Sequence, residues 1–155
     1  MVFPVCYRFL LHLESAGAVA ADVGLLVVAA PEGEFEAGFG GGGQTKEHAM
    51  LLKSLGVTQV LVAINKLDAT APPFSRARFD EIARKLQEYL VNVCRFKASK
   101  VRVLPVAAFS GDNVAVCEAS SPLNKWSCEE EDGSSGSGGF PTLVKEQVAH
   151  IQNKI

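Results

Sequence analysis

The chain has 155 residues, of which 48% are hydrophobic and 21% charged. This is the composition of one soluble globular domain and excludes an intrinsically disordered chain. The net charge of −2 at pH 7 and the isoelectric point near 5.9 give no overall electrostatic footprint for nucleic acid. The four cysteines include no C-x-x-C pair, which favours reduced thiols in the cytoplasm over a metal site.

The amino-terminal segment, residues 1–14, is considered separately from residues 15–155. It is largely apolar, as a signal peptide would be. However, no basic residue precedes the apolar run, and Arg8, His12 and Glu14 interrupt it. Secretion is therefore not favoured, and no apolar run in the sequence is long enough to span a membrane.

Hydrophobic periodicity predicts three strands that alternate with helices. The predicted strands are Asp22–Ala30, Thr58–Ile64 and Val101–Ala107, and the predicted helices are Gln44–Gly56, Ser75–Val93 and Pro141–Ile151. Strands separated by helices favour right-handed crossovers. The sequence therefore predicts an α/β fold with a parallel sheet.

Two segments of low complexity are interpreted as flexible. Residues 118–139 turn acidic at 129–132 and then become rich in Gly and Ser, which indicates an insertion within the domain and not a second domain. The glycine run at 40–43 is interpreted as a flexible loop.

The most informative stretch is the second predicted strand and the loop after it, Asn65-Lys66-Leu67-Asp68. Ligands collect at the carboxyl ends of strands in open α/β sheets. The Asp68 carboxylate offers two acceptors to the neighbouring N1–H and N2–H₂ donors of guanine, a pair that adenine lacks. Asn65 can tie the loop together, and the Lys66 stem can lie along the base. The alternative is a helix-entry turn in which Asp68 caps locally.

This loop and four other motifs occur in the order found in the GTPase domain of elongation factor 1-alpha. They are Ala21–Val28, Gly33–Phe39, Gln44–His48, Leu55–Gln59 and Asn65–Asp68. The chain resembles that family over roughly residues 15–114 and again, weakly, at 140–143. The amino-acid sequence of the second motif, Gly33–Phe39, most resembles that of the ribosome-rescue branch, whose GTPase works with a pelota-type partner. The eukaryotic release-factor GTPase is the next most similar.

The resemblance implies a three-layer fold of the P-loop NTPase type, of which this chain is expected to hold the carboxyl-terminal half. It implies GTP or GDP and Mg²⁺ as the ligands of the complete domain. It further implies the ribosome and a pelota-like or release-factor-like protein as partners, without a membrane.

The resemblance also implies a second base-contacting loop after the third strand. Ala107, Ala108 and Phe109 stand where the family usually has Ser-Gly-Trp. A backbone N–H of this loop is expected to reach guanine O6, and Phe109 to replace Trp as an apolar lid near the base. The lost Ser hydroxyl is expected to loosen the loop and lower affinity.

Other parts of the family's nucleotide site do not occur in the sequence. There is no G-x-x-x-x-G-K-[ST] motif, and the family's Asp-x-Pro-Gly-His has no match at residues 5–13, where segment 1–14 diverges. Because these parts position the phosphates, Mg²⁺ and the attacking water, we predict no catalytic residue, no metal ligand and no hydrolysis by this chain alone. Binding is expected to be weak and to rest on base contacts.

The family's first three strands are expected to be absent too, so the strand at Val23 would have an open edge. Either residues 2–13 fill that edge or the protein associates through it. Three functions remain open: the guanine-nucleotide-binding part of a translational GTPase, a non-catalytic interaction fragment, and an inactive truncated gene product. A phosphate loop encoded upstream would identify the first, whereas a genuine start at Met1 would favour the other two.

Overall fold

The computed structural model describes residues 23–114, 121–123 and 126. Three parallel strands form one sheet in the order β1 (Val23–Ala29), β2 (Gln59–Asn65) and β3 (Val101–Pro105). The helices are α1 (Glu34–Phe39), α2 (Gln44–Ser54) and α3 (Arg76–Glu88), with short 3-10 turns at Leu67–Ala69 and Ala98–Lys100. The predicted α/β fold with a parallel sheet is confirmed.

The core lies between one face of the sheet and the three helices. Alternate residues of each strand point to this face, as the period of two requires. The buried members of the cluster include Leu26, Val28, Val60, Val62, Ile64 and Val101 from the strands, and Phe35, Leu52, Phe79, Ile82 and Leu86 from the helices.

The opposite face of β1 is much less covered. Val23, Leu25 and Val27 expose 42%, 41% and 43% of their surface, and β1 is an outer strand of the sheet that the described residues form. Each helix among the described residues contributes to the core on the other face. The expected third layer therefore has no counterpart within the described residues, and the predicted helix 141–151 lies outside them.

The prediction of a helix over Ser75–Val93 is correct in extent and wrong at its last turn. Ser75 caps α3, since its Oγ accepts a hydrogen bond from Arg78 N at 3.3 Å. The chain then continues as one π-helical turn, Tyr89–Val93. The wider turn shifts the register, so that Val93, which a continued α-helix would place on the buried face with Leu86 and Leu90, is 54% exposed and Cys94 is buried instead.

The glycine run between α1 and α2 is a tight turn and not the open loop expected from composition. A Cβ at buried Gly43 would lie 2.1 Å from Gly38 O, so only glycine allows this approach of the two backbones. The short helix α1 was not predicted; buried Phe35 stacks on Phe39 with ring centroids 5.2 Å apart.

Segments 1–14 and 118–139 lie outside the described residues, apart from positions 121–123 and 126. Trp126 is buried, and its ring centroid lies 5.5 Å from that of Phe79. Within the described part of the chain, no helix is long and apolar enough to cross a membrane.

Candidate functional site

The two predicted base-contacting loops leave the sheet side by side. Ile64 at the end of β2 pairs with Pro105 at the end of β3. At the other side of β2, Ala30 N donates to Asn65 O at 2.9 Å, which fixes the end of β1 to the same edge. The carboxyl ends of the three strands therefore form one platform, as expected for a ligand site in a parallel sheet.

Asn65 joins the two loops through a single side-chain oxygen. Its Oδ1 accepts hydrogen bonds from Lys66 N at 2.7 Å and from Ala108 N at 2.9 Å. Lys66 has a left-handed backbone, φ 63°, at the entry to the 3-10 turn. The sequence predicted that Asn65 ties its own loop, and the structure adds the second loop, 43 residues away.

Asp68 lies in that 3-10 turn with one carboxylate oxygen, Oδ1, buried and without a hydrogen bond among the described residues. In the same turn, Thr70 Oγ1 lies 2.8 Å from both Leu67 O and Pro72 O. A buried acceptor without a donor costs about 1–3 kcal/mol. The Asp68 carboxylate is therefore placed as it would be for a ligand that supplies donors.

Lys66 is held at both ends. Its backbone N–H donates to Asn65, and its Nζ lies 2.6 Å from Glu34 Oε2 on α1. Glu34 was not recognised from the sequence, because the ion pair joins residues 32 positions apart that no local pattern connects. The pair brings α1 to the predicted site.

Helix α1 is itself anchored by Arg78 of α3. The Arg78 guanidinium lies 2.7 Å from Glu36 and 2.9 Å from Glu81, and its Nε donates to Ala30 O at 3.0 Å. The hydrogen bond from Arg78 holds the pKa of Glu36 below its usual value. Bonds from Lys85 and then Arg78 lower the pKa of Glu81 likewise.

The second loop is fixed by contacts at its base. Ala107 and Asp112 exchange two backbone hydrogen bonds of 3.1 and 3.0 Å, and buried Asn113 donates from Nδ2 to Pro105 O at 2.8 Å. Asp and Asn favour turns, which suits Asp112 and Asn113 at this position. Ala107 is buried, whereas Phe109 at the tip is 97% exposed. The role of Phe109 as a lid stays a prediction.

Across the described residues, no three His, Cys, Asp or Glu side chains are grouped so as to hold a metal ion.

Known proteins resemble this chain in sequence and in fold. The family described as the elongation factor Tu GTP binding domain matches residues 11–153. Elongation factor 1-alpha of Onchocerca volvulus is 43% identical over 119 residues, which are 76% of this chain and 25% of that protein. Elongation factor 1-alpha of Staphylothermus marinus is 49% identical over 98 residues, 63% of this chain and 22% of that protein.

Solved structures agree with the fold. Sup35 complexed with GDP superposes with a TM-score of 0.67 at 36% identity, over 84% of this chain and 29% of that chain. The Ski7 GTPase-like domain of S. cerevisiae bound to GTP also gives a TM-score of 0.67, over 93% of this chain and 29% of that chain. At 18% identity, Ski7 supports the fold alone.

The chain spans about a quarter of the length of the two elongation factors, 25% and 22%. The family match, by contrast, runs over most of this chain, residues 11–153. The chain therefore belongs to the family of GTP-binding domains found in elongation factor Tu and elongation factor 1-alpha.

Proposed function

We propose that this chain recognises the guanine base of GTP or GDP through Asp68, as the base-binding part of a translational GTPase of the elongation or ribosome-rescue type. The observation that carries the proposal is the Asp68 Oδ1 at the carboxyl edge of the sheet, which is buried and has no hydrogen-bond donor among the described residues. Family membership supports the choice of guanine nucleotide, and so does the GDP complex of Sup35.

Each predicted residue has a distinct part in this proposal. Asp68 accepts from N1–H and N2–H₂ of the base, which adenine cannot offer. Asn65 holds the two loops together, and the Lys66 stem, fixed by Glu34, covers one face of the base. The Ala108 N–H is already bonded to Asn65, so the N–H of Phe109, free of hydrogen bonds within residues 23–114, is the donor we assign to O6.

Affinity and turnover follow from what the sequence lacks. The sequence has no G-x-x-x-x-G-K-[ST] motif to bind the charged phosphates of GTP, so the phosphates add little to the binding free energy. We therefore expect dissociation constants of about 1 mM. Mg²⁺ finds no grouped ligands among the described residues. We therefore assign base recognition and no hydrolysis to this chain, with hydrolysis left to a longer product.

The partners and location are part of the same proposal. By family resemblance they are the ribosome and a pelota-like or release-factor-like protein in the cytoplasm. The alternative is a non-catalytic interaction fragment or an inactive truncated gene product, in which the Asn65–Asp68 loop persists without use.

Calorimetric titration with guanosine, GDP and GTP, with ADP as the control, tests the proposal. We expect similar weak binding of guanosine and GDP, no binding of ADP, and loss of binding in Asp68→Ala. A second variant, Asp68→Asn, presents an amide donor instead of an acceptor. It should therefore reject guanosine and accept xanthosine, which carries a carbonyl at C2.

The exchange of specificity in Asp68→Asn separates recognition from folding, because a misfolded variant binds neither nucleoside. If the folded wild-type chain binds none of the guanine ligands, base recognition is refuted. It would leave the interaction-fragment alternative.

A further inference from the structure

Four basic residues converge at the edge of the sheet opposite to the guanine site. Lys97 precedes the 3-10 turn before β3, Lys100 is the last residue of that turn, Arg95 comes earlier in the chain, and Lys53 lies in the last turn of α2. All four are exposed. The sequence from residue 89 to 111 contains no Asp or Glu, although the whole chain has a net charge of −2. We call these four residues the basic turn.

Buried Phe96 sets the geometry of the basic turn. It lies between Arg95 and Lys97 in the chain, and Lys53 Nζ stands 4.7 Å from the centre of its ring. Lys100 N donates to Lys97 O at 2.8 Å, so the two lysines are separated by one 3-10 turn, in which residues three apart lie on the same side. Lys53 of α2 therefore lies against the chain segment that carries Arg95, Lys97 and Lys100.

The basic turn is not neutralised within the described residues. The ion pairs found there engage Lys66, Arg76, Arg78 and Lys85, and none includes a member of the basic turn. Like charges at this spacing repel one another. A polyanion that approached this edge would remove the repulsion and release its own counterions.

Arg95 adds a second observation. It has φ 61°, and Phe96 N donates to Leu90 O at 3.0 Å. These are the features of a helix carboxyl cap whose left-handed residue is usually glycine. An arginine therefore occupies, at a cost in backbone energy, a position where it adds charge to the turn.

We propose that the basic turn binds the phosphate backbone of a nucleic-acid duplex, an activity separate from guanine recognition. Phe96 is buried, so the described residues offer no exposed ring beside the cations on which unpaired bases would stack. Val93, exposed nearby, is short and β-branched, whereas insertion into a bilayer uses Trp, Phe or Leu. What remains is ion pairing between the basic side chains and phosphate groups, which does not depend on the base sequence.

Fluorescence anisotropy of a labelled RNA duplex, titrated with the full chain at several salt concentrations, tests this proposal. Four phosphate contacts predict a loss of affinity of about a hundredfold from about 50 to about 200 mM salt, and two contacts a loss of about tenfold. We therefore expect the double variant Lys97→Gln, Lys100→Gln to bind more weakly at low salt. Its affinity should fall only about tenfold over the same range of salt concentration. A DNA duplex of the same sequence should behave alike, since the contacts are to phosphates.

A matched pair of single variants controls for charge. Lys97→Gln and Arg84→Gln each remove one exposed cation, but Arg84 lies on α3 away from the basic turn. Only Lys97→Gln should weaken duplex binding by more than a small factor. Arg95→Gly should also weaken it while leaving the chain folded by circular dichroism, because glycine suits the left-handed backbone.

Three results would overturn the proposal. They are an unchanged salt slope in the double lysine variant, equal effects of Lys97→Gln and Arg84→Gln, and binding to phosphatidylserine vesicles without binding to either duplex. The last would assign the basic turn to a membrane surface.

Discussion

Asn65 is the residue on which the predicted site depends structurally. Its Oδ1 accepts from two backbone N–H groups that belong to different loops. We expect Asn65→Ala to lower the free energy of unfolding by about 1–3 kcal/mol, because both donors lose their acceptor. Urea denaturation followed by circular dichroism measures this change. Asn65→Asp retains an oxygen at the same position and should lose less than half as much; equal losses in the two variants would show that the shared oxygen is unimportant.

Arg95 offers a prediction of the opposite sign. A left-handed backbone costs a residue other than glycine about 1 kcal/mol, and glycine gives part of this back through its greater freedom in the unfolded chain. We expect Arg95→Gly, at φ 61°, to raise the free energy of unfolding by about 0.5 kcal/mol. The same measurement on Lys97→Gly, whose φ is −71°, should show a decrease. A destabilised Arg95→Gly would indicate that the arginine side chain, and not the backbone, supports this turn.

At the scale of elements, Arg78 joins α1, α3 and the end of β1, and this makes stability depend on pH. The pKa of Glu36 is lowered from 4.5, chiefly by its hydrogen bond to Arg78. Stabilisation by a lowered pKa is complete above the unfolded value and is lost as pH falls through the folded value. We therefore expect the wild-type chain to lose more stability below pH 4.5 than Arg78→Gln does, in urea denaturation at a series of pH values. Glu81 keeps its partner Lys85 in the variant, so the difference reports mainly on Glu36. Parallel pH profiles would mean that the pair contributes nothing.

The ion pair between Glu34 and Lys66 connects α1 to the base loop. If Glu34 positions the Lys66 stem, Glu34→Gln should weaken guanosine binding by no more than about fivefold, since exposed pairs contribute about 0.2–1 kcal/mol. Selectivity against ADP should persist, because Asp68 is unchanged. Calorimetry on Glu34→Gln and on Glu47→Gln, an exposed acid of α2, makes the comparison at equal net charge. An equal effect of both variants would assign the change to overall charge and not to positioning.

The same elements show what sequence can predict. Apolar runs and helical spacing identified the three strands, α2 and α3, because burial alone decides their pattern. The short helix α1 was not predicted, because its packing depends on two phenylalanines and a glycine turn and not on a helical repeat of apolar residues. The π-helical turn exposes Val93 and buries Cys94. Such a turn has more residues than an α-helical turn, so a pattern with a fixed period of 3.6 residues cannot predict it. At the site, Asp68 followed from local chemistry, but Glu34 and the contact from Asn65 to Ala108 are tertiary and have no local signal.

At the scale of the whole molecule, the face of the sheet opposite the core is buried at Ala63 and Leu104 but exposed along β1. Val23, Leu25 and Val27 are 42%, 41% and 43% exposed on this face. Val23 and Val27 lie on the same side of β1 and form an exposed apolar patch of the kind that mediates association. We therefore predict that the chain self-associates through this face in a concentration-dependent manner.

Val23→Thr with Val27→Thr keeps the β-branched shape of both side chains and replaces one methyl group of each by a hydroxyl. Burying those hydroxyls in an apolar contact is unfavourable, so the dissociation constant of the associated form should rise by about tenfold. Sedimentation equilibrium over a range of concentrations measures it. Val93→Thr is the matched control, because Val93 is 54% exposed and lies on the α3 side of the molecule. A wild-type chain that stays monomeric throughout would refute self-association through this face. An equal shift in Val93→Thr would assign any association to surface hydrophobicity in general.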